Sequence, residues 1–537
     1  MTRVLRAKDE EELRRQVGQL MFPRIGSNLP PVRTVDEDAA AIEKLLIDCP
    51  IGGLCLFNGK GADTRGSLKR LQQISEHPLL VATDMERGAG QQIAGATLFP
   101  HAMAFSAIGE EAEERVALFA RVAAREALSS GVQIAFAPVA DVNSNPANPI
   151  IATRAFASEP NLAARLVASY IRGAHEEGLL VTAKHFPGHG DTELDSHDEL
   201  PMVLHDETSL WHQELVPFQA AIDAQVDLVM TSHVSYRAWD DDGRPATLSA
   251  NILRGLLRKR LRFVGAVVSD SLLMAGVRAC ANSEGDLAVR ALQSGVDILL
   301  DVQRPSEVVR HVVQAVDEGR LDADDIALSC QRVVDLREKM LNRFGEAVFY
   351  APDEIEWNDA VLPDGNVLAR QVAREAITVM TREGESPRLS RDANLAVMML
   401  KPNQSRWDPP EQPLAECLRW FWPELRYGEW GPESPDSDVK RWTEMAEQTD
   451  QLLVAMIVKP AAWHRFGLLS QQRQWLVQMA RRRRLLLVSL GVPAALNGLG
   501  GESGNAIDGE ITRLCTYSDV PVSQEMFARF LAGEFVS

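Results

Sequence analysis

The chain has 537 residues, a formal net charge of −19, 45% apolar residues and 24% charged residues. That length exceeds what one hydrophobic core usually serves, so two domains are expected, and the composition is that of a globular protein. The excess of acid argues against binding a nucleic-acid backbone, which needs clustered Lys and Arg.

Cys49, Cys55, Cys280, Cys330, Cys417 and Cys515 occur singly, with no C-x-x-C pair, as suits reduced thiols. The opening MTRVLRAKDEEE is charged and lacks the apolar core of a secretory leader. No apolar run approaches the roughly 20 residues that cross a bilayer. The expectation is a cytoplasmic protein with neither a membrane nor a nucleic acid as partner.

In chain order, apolar runs at 19–25, 51–57, 79–84, 133–142, 180–185, 228–233, 266–270 and 296–302 predict strands. Amphipathic stretches of helical length lie between them, notably 113–129, 161–177, 210–224 and 284–294. Near-continuous apolar strands alternating with helices mark a parallel sheet covered on both faces. Repeated over about 250 residues or more, the pattern favours a TIM-type (β/α)8 barrel. A doubly wound open sheet would share it. From 344 to 365 the chain is rich in Pro, Asp, Glu and Gly and loses its periodicity, as a linker does. Apolar runs resume at 395–400, 452–458 and 485–490 and predict a smaller three-layer α/β sandwich. The expected organisation is a catalytic barrel over 1–345, a linker over 346–368 and the sandwich over 369–537.

Several predicted strands end in side chains that a buried strand avoids: Asp84, Asp141, Lys184 with His185, His233 and Asp270. The C-terminal ends of barrel strands form one solvated rim, where such charge is tolerated and chemistry is placed. The stretch KHFPGHGDTELDSHDELP, residues 184–201, continues from one of these ends. Pro187, Gly188 and Gly190 force a loop, which presents His189, Asp191, Asp195, His197 and Asp198 within a short span. Imidazoles with carboxylates can ligate a metal, but the spacing fits neither H-E-x-x-H nor a Cys/His finger. An acid/base dyad fits better: Asp195 bonding one ring nitrogen of His197 would fix its tautomer and leave the other nitrogen to move a proton. Asp270, in VVSDSLLM at the end of an apolar strand, supplies a carboxylate able to attack an anomeric carbon.

These residues resemble the β-N-acetylglucosaminidase branch of glycoside hydrolase family 3. Residues 184–201 are similar to that branch's KH-F/I-PGHG-x4-DSH signature without a gap. Further similar segments follow in family order: GQLMFP at 18–23, DMERGAGQ at 84–91, FAPVADVN at 136–143, RAF at 154–156, PATLS at 245–249 and Ser269-Asp270. The resemblance implies Asp270 as nucleophile, His197 as acid/base oriented by Asp195, and Asp84, Arg154, Lys184 and His185 as groups holding sugar hydroxyls. It implies a small N-acetylglucosamine-containing substrate, no metal and no other cofactor. Two positions depart from the family pattern: Arg87 replaces the first glycine of D-x-E-G-G, and Ser271 follows the nucleophile where Asp is usual. Both bear on sugar specificity.

The expected chemistry is a double displacement through a glycosyl-aspartate. A neutral imidazole, unlike a carboxylate base, does not repel an anionic acceptor, a difference of about 1 kcal/mol even in bulk water at 4 Å. Phosphate could therefore replace water and yield a sugar 1-phosphate. A family 3 glycosidase of other sugar specificity and a catalytically silent sugar-binding protein stay open as alternatives.

Overall fold

Why the apolar run at 19–25 forms two short strands rather than one is visible in its pairing. In the computed structural model, which describes residues 7–192, 200–357, 361–380, 387, 389–403, 409, 411–460, 466–497 and 511–535, Pro23 divides the run. The pieces are β1 (Met21–Phe22) and β2 (Arg24–Ile25). Proline has no N–H for a ladder, so the chain changes partner there. Around the barrel follow β3 (Gly53–Leu56), β4 (Leu80–Thr83), β5 (Ile134–Ala135), β6 (Leu180–Phe186), β7 (Leu228–Thr231), β8 (Ala266–Val268) and β9 (Leu299–Leu300). Each expected barrel strand is present, most of them shorter than the apolar run that predicts it.

The pairings run β2–β3–β4–β5–β6–β7–β8, all parallel. A parallel bridge from Val268 to Ile298 continues to β9, and β9 pairs in parallel with β1. The ring is closed. A doubly wound open sheet is thereby excluded for this part of the chain. Parallel closure puts all the strand C-termini on one rim, so the polar strand ends share a face.

The stretch 210–224 forms two helices, Glu207–His212 and Leu215–Asp223, rather than one. Pro217 is the reason: it cannot donate to the carbonyl of residue 213, and its ring crowds that carbonyl. The first helix ends at Gln213, with φ −121 and ψ −72, and the break turns Glu214 inward, only 2% exposed.

The chain divides into two compact units. The first comprises Met1–Leu98, Glu113–Ser144 and Ala157–Gly365; the second comprises Phe99–Ala112, Asn145–Phe156 and Asn366–Ser537. The second unit is built on a sheet of β10 (Thr378–Val379), β11 (Leu395–Leu400), β12 (Arg426–Trp430), β13 (Gln451–Met456), β14 (Leu485–Ser489) and β15 (Ile511–Cys515). Its order is β10-β15-β14-β13-β11-β12, with β10 antiparallel and the rest parallel. Side chains alternate across a strand, so Val397 and Met399 pack with Leu418 and Phe527 on one face. Ala396, Met398 and Leu400 pack with Trp475 and Met479 on the other. Helices thus cover both faces, giving three layers.

Candidate active site

The barrel rim is a nearly continuous belt of bonded polar groups. At its centre is Lys184 of β6, a buried ammonium that requires anionic partners. Nζ lies 2.7 Å from Asp84 Oδ1, just beyond β4, and 2.8 Å from Glu86 Oε1. Lys184 is 2% exposed, whereas the Asp84 side chain is 31% exposed, so the ammonium holds a carboxylate that still meets solvent. That is the arrangement a hydroxyl-binding carboxylate needs, since it accepts charge-assisted bonds while its own position is fixed.

His185 is the next residue on β6. Its Nδ1 donates to Asp141 Oδ2 at 2.7 Å, and Asp141 Oδ1 accepts the His185 and His189 N–H groups at 3.1 and 2.8 Å. Burial alone would raise the Asp141 carboxyl, but the neighbouring His185 charge and these bonds outweigh it and hold it below the usual carboxylate range. An ionised Asp141 can only accept, which assigns the proton to Nδ1 and fixes the imidazole's orientation. The backbone of His189, in the turn after β6, is pinned by the same carboxylate.

Asp270 stands two residues past β8 and is partly exposed. Its Oδ1 accepts the Ser271 N–H at 2.7 Å. Ser271 is held on two further sides: Oγ donates to Asp301 Oδ2 at 2.6 Å, and its carbonyl accepts from His233 Nε2 at 3.0 Å. Asp301 follows β9 and is gripped by Arg24 of β2 through bonds of 2.9 and 2.5 Å. His233 Nδ1 meets Thr247 Oγ1 at 2.8 Å. Four strand ends therefore fix the turn that presents the Asp270 carboxylate.

Asp84, Lys184, His185 and Asp270 thus lie on one rim. Arg154 lies in the second unit, in the segment Asn145–Phe156. Ala152 of that segment is buried in the hydrophobic cluster of Ala396 and Met398, and Arg154 Nη1 donates to Ile150 O at 3.0 Å. Asp195 and His197 lie outside the described residues. Among the described residues no group of three or more His, Cys, Asp or Glu side chains is gathered as a metal ion would require.

Glu86, Arg24, Asp301 and Glu214 are not among the candidates that the sequence singles out. Asp301 carried the same signal as the others, an acid at the end of an apolar run. Arg24 and Glu214 carried none, because each sits in a segment whose periodicity concerns packing.

A closed parallel barrel with its charged residues at the strand C-termini defines a (β/α)8 protein of the enzyme-bearing kind. Residues 12–336 match the model of the glycosyl hydrolase family 3 N-terminal domain, and the chain belongs to that family. It is 31% identical over 366 residues to the β-hexosaminidase A of Pseudoalteromonas piscicida, covering 64% of this chain and 60% of that one. With the β-hexosaminidase of Xylella fastidiosa strain 9a5c it shares 33% identity over 322 residues, 56% of this chain and 94% of the relative. The structure is similar to that of a glycoside hydrolase family 3 β-N-acetylglucosaminidase from Paenibacillus sp. str. FPU-7, with TM-score 0.83 and 27% identity, covering 98% of this chain and 97% of the other.

Proposed function

We propose that this chain is a retaining exo-β-N-acetylglucosaminidase that forms a covalent glycosyl intermediate on Asp270. The observation that carries the reading is the locked turn at Asp270, a partly exposed carboxylate whose backbone is tied to Asp301 and His233 on the rim that bears Asp84, Lys184 and His185. Carboxylate attack at an anomeric carbon needs such fixed aim, because positioning supplies a large share of the rate. A relative named β-hexosaminidase and a structural neighbour named β-N-acetylglucosaminidase support the choice of sugar.

In the first step an oxygen of Asp270 bonds to the anomeric carbon as the glycosidic bond breaks, and His197, oriented by Asp195, passes its proton to the departing oxygen. In the second step neutral His197 takes a proton from water, whose oxygen displaces Asp270. Asp84, Lys184 and His185 hold the sugar. Incubation with a 5-fluoro N-acetylglucosaminyl fluoride, which forms the intermediate faster than it is released, should add one sugar to the peptide that contains Asp270. A label on another carboxylate, or none, rejects the assignment.

We propose also that phosphate serves as an acceptor in the second step, because neutral His197 adds no charge repulsion against it. Turnover measured with and without phosphate tests this. An increased rate with accumulation of N-acetylglucosamine 1-phosphate is expected; an unchanged rate with no sugar phosphate rejects it.

A further inference from the structure

Glu214 is a buried titratable group that the proposed chemistry leaves unused. Its Oε1 accepts from Ser144 Oγ at 3.0 Å, and the Gly190 N–H acts on the carboxyl from the turn after β6. Oε2 is buried with no hydrogen-bond partner among the described residues. A Cβ added at Gly188 would lie 2.4 Å from Oε2, so the absence of a side chain there is what lets the carboxyl reach the turn. One side chain thus meets two rim segments: the loop at Ser144 and, at Gly188, the turn after β6.

We propose that Glu214 is a positioning residue for the reaction on Asp270, clamping the 188–192 turn against the Ser144 loop and so setting where the chain enters the segment that carries Asp195 and His197. The inference rests on the reading of His197 as acid/base.

The surroundings make this clamp depend on a proton. Asp141 faces Glu214 from beyond β5 with His185 and His189 bonded to it; Asp191 faces it from the turn, paired with His205 at 2.5 Å; and fully buried Tyr236 lies on a third side. Burial, and then the charges of Asp141 and Asp191, push the Glu214 carboxyl up to about 8. At neutral pH the group is therefore an uncharged acid. Its ionisation places a further negative charge beside Asp141 and Asp191, which works against holding the turn in place. The folded chain keeps a proton that the unfolded chain releases in the ordinary carboxylate range, so this group's contribution to stability falls as pH rises from that range and is gone once Glu214 itself ionises.

The decisive measurement is kcat against pH with a 2,4-dinitrophenyl N-acetyl-β-glucosaminide. That leaving group departs without a proton, so release of the sugar from Asp270 limits turnover and requires neutral His197 in its place. For the parent, kcat should rise through the histidine range and fall again with a midpoint near 8. Glu214→Gln keeps the shape but not the titration, and should hold its own plateau to about pH 9.5. Ser144→Ala removes a bond that favours the charged carboxylate, and should move the fall to higher pH. An alkaline fall at the parent's midpoint in Glu214→Gln overturns the proposal, as does a fall in Ser144→Ala that stays in place or moves lower. A purely structural role would lower the plateau and leave the fall where it was. If Glu214→Gln does not fold, Ser144→Ala decides alone. Parent-like activity in Asp270→Asn would instead sink the underlying assignment, whereas its loss with an unmoved fall in Glu214→Gln removes only the role of Glu214.

Discussion

Changing Asp270 to Asn is expected to lower kcat/KM for an aryl N-acetyl-β-glucosaminide on the order of 10⁴-fold, about 5 kcal/mol of transition-state stabilisation. The amide matches the carboxylate in shape and can still accept the Ser271 N–H, so the turn held by Asp301 and His233 should persist. What disappears is the negative oxygen that attacks the anomeric carbon and offsets its developing positive charge. Thermal midpoints of parent and variant should agree closely, since Asp270 is partly exposed and the substitution creates no cavity. Asp270→Gly, which opens space on that face, should recover part of its turnover with azide and give a glycosyl azide of inverted configuration. Activity of Asp270→Asn within tenfold of the parent would exclude a covalent role.

The second large effect is expected at Lys184. Lys184→Met keeps most of the side-chain volume but removes the cation between Asp84 and Glu86. Two neighbouring carboxylates then lose the ammonium that lies between them, and losing one member of a buried pair costs about 3 kcal/mol. The partial exposure of Asp84 keeps the cost at the low end of that range. Denaturant or thermal unfolding should register it, and KM should rise because Asp84 loses its fixed position. Adding Asp84→Asn and Glu86→Gln to Lys184→Met should restore much of the stability by removing the repulsion, without restoring activity. Non-additivity of this kind separates a structural contribution from binding. Stability of Lys184→Met equal to the parent would show that the ammonium is not the counter-charge its distances indicate.

Much of the architecture is local in origin, which is why it was legible. The run 180–185 is a strand because Leu180, Val181, Thr182 and Ala183 form a short uncharged stretch just after the helix-ending Gly178, and 284–294 is a helix because its apolar positions recur every three to four residues between Ser283 and Gly295. The boundaries of β1 and β2 and the break before Leu215 follow from Pro23 and Pro217, across which the apolar periodicity runs on without interruption. The rim was legible in part for the same reason: an acid or base at the end of an apolar run is a local pattern. Asp84, Lys184, His185 and Asp270 carry it.

What the sequence determined by itself, then, is the alternation of parallel strands and helices, the polar strand ends and the 184–201 signature, because each depends on residues close together along the chain. Tertiary structure alone decided that the strands close into a ring, that Arg24 grips Asp301 across 277 positions, and that Lys184 reaches Asp84 across 100. It likewise placed Arg154 with the second unit and buried Glu214 against Gly188. These are contacts between segments whose separation no local pattern records, and burial, not residue type, is what pushes the Glu214 carboxyl upward.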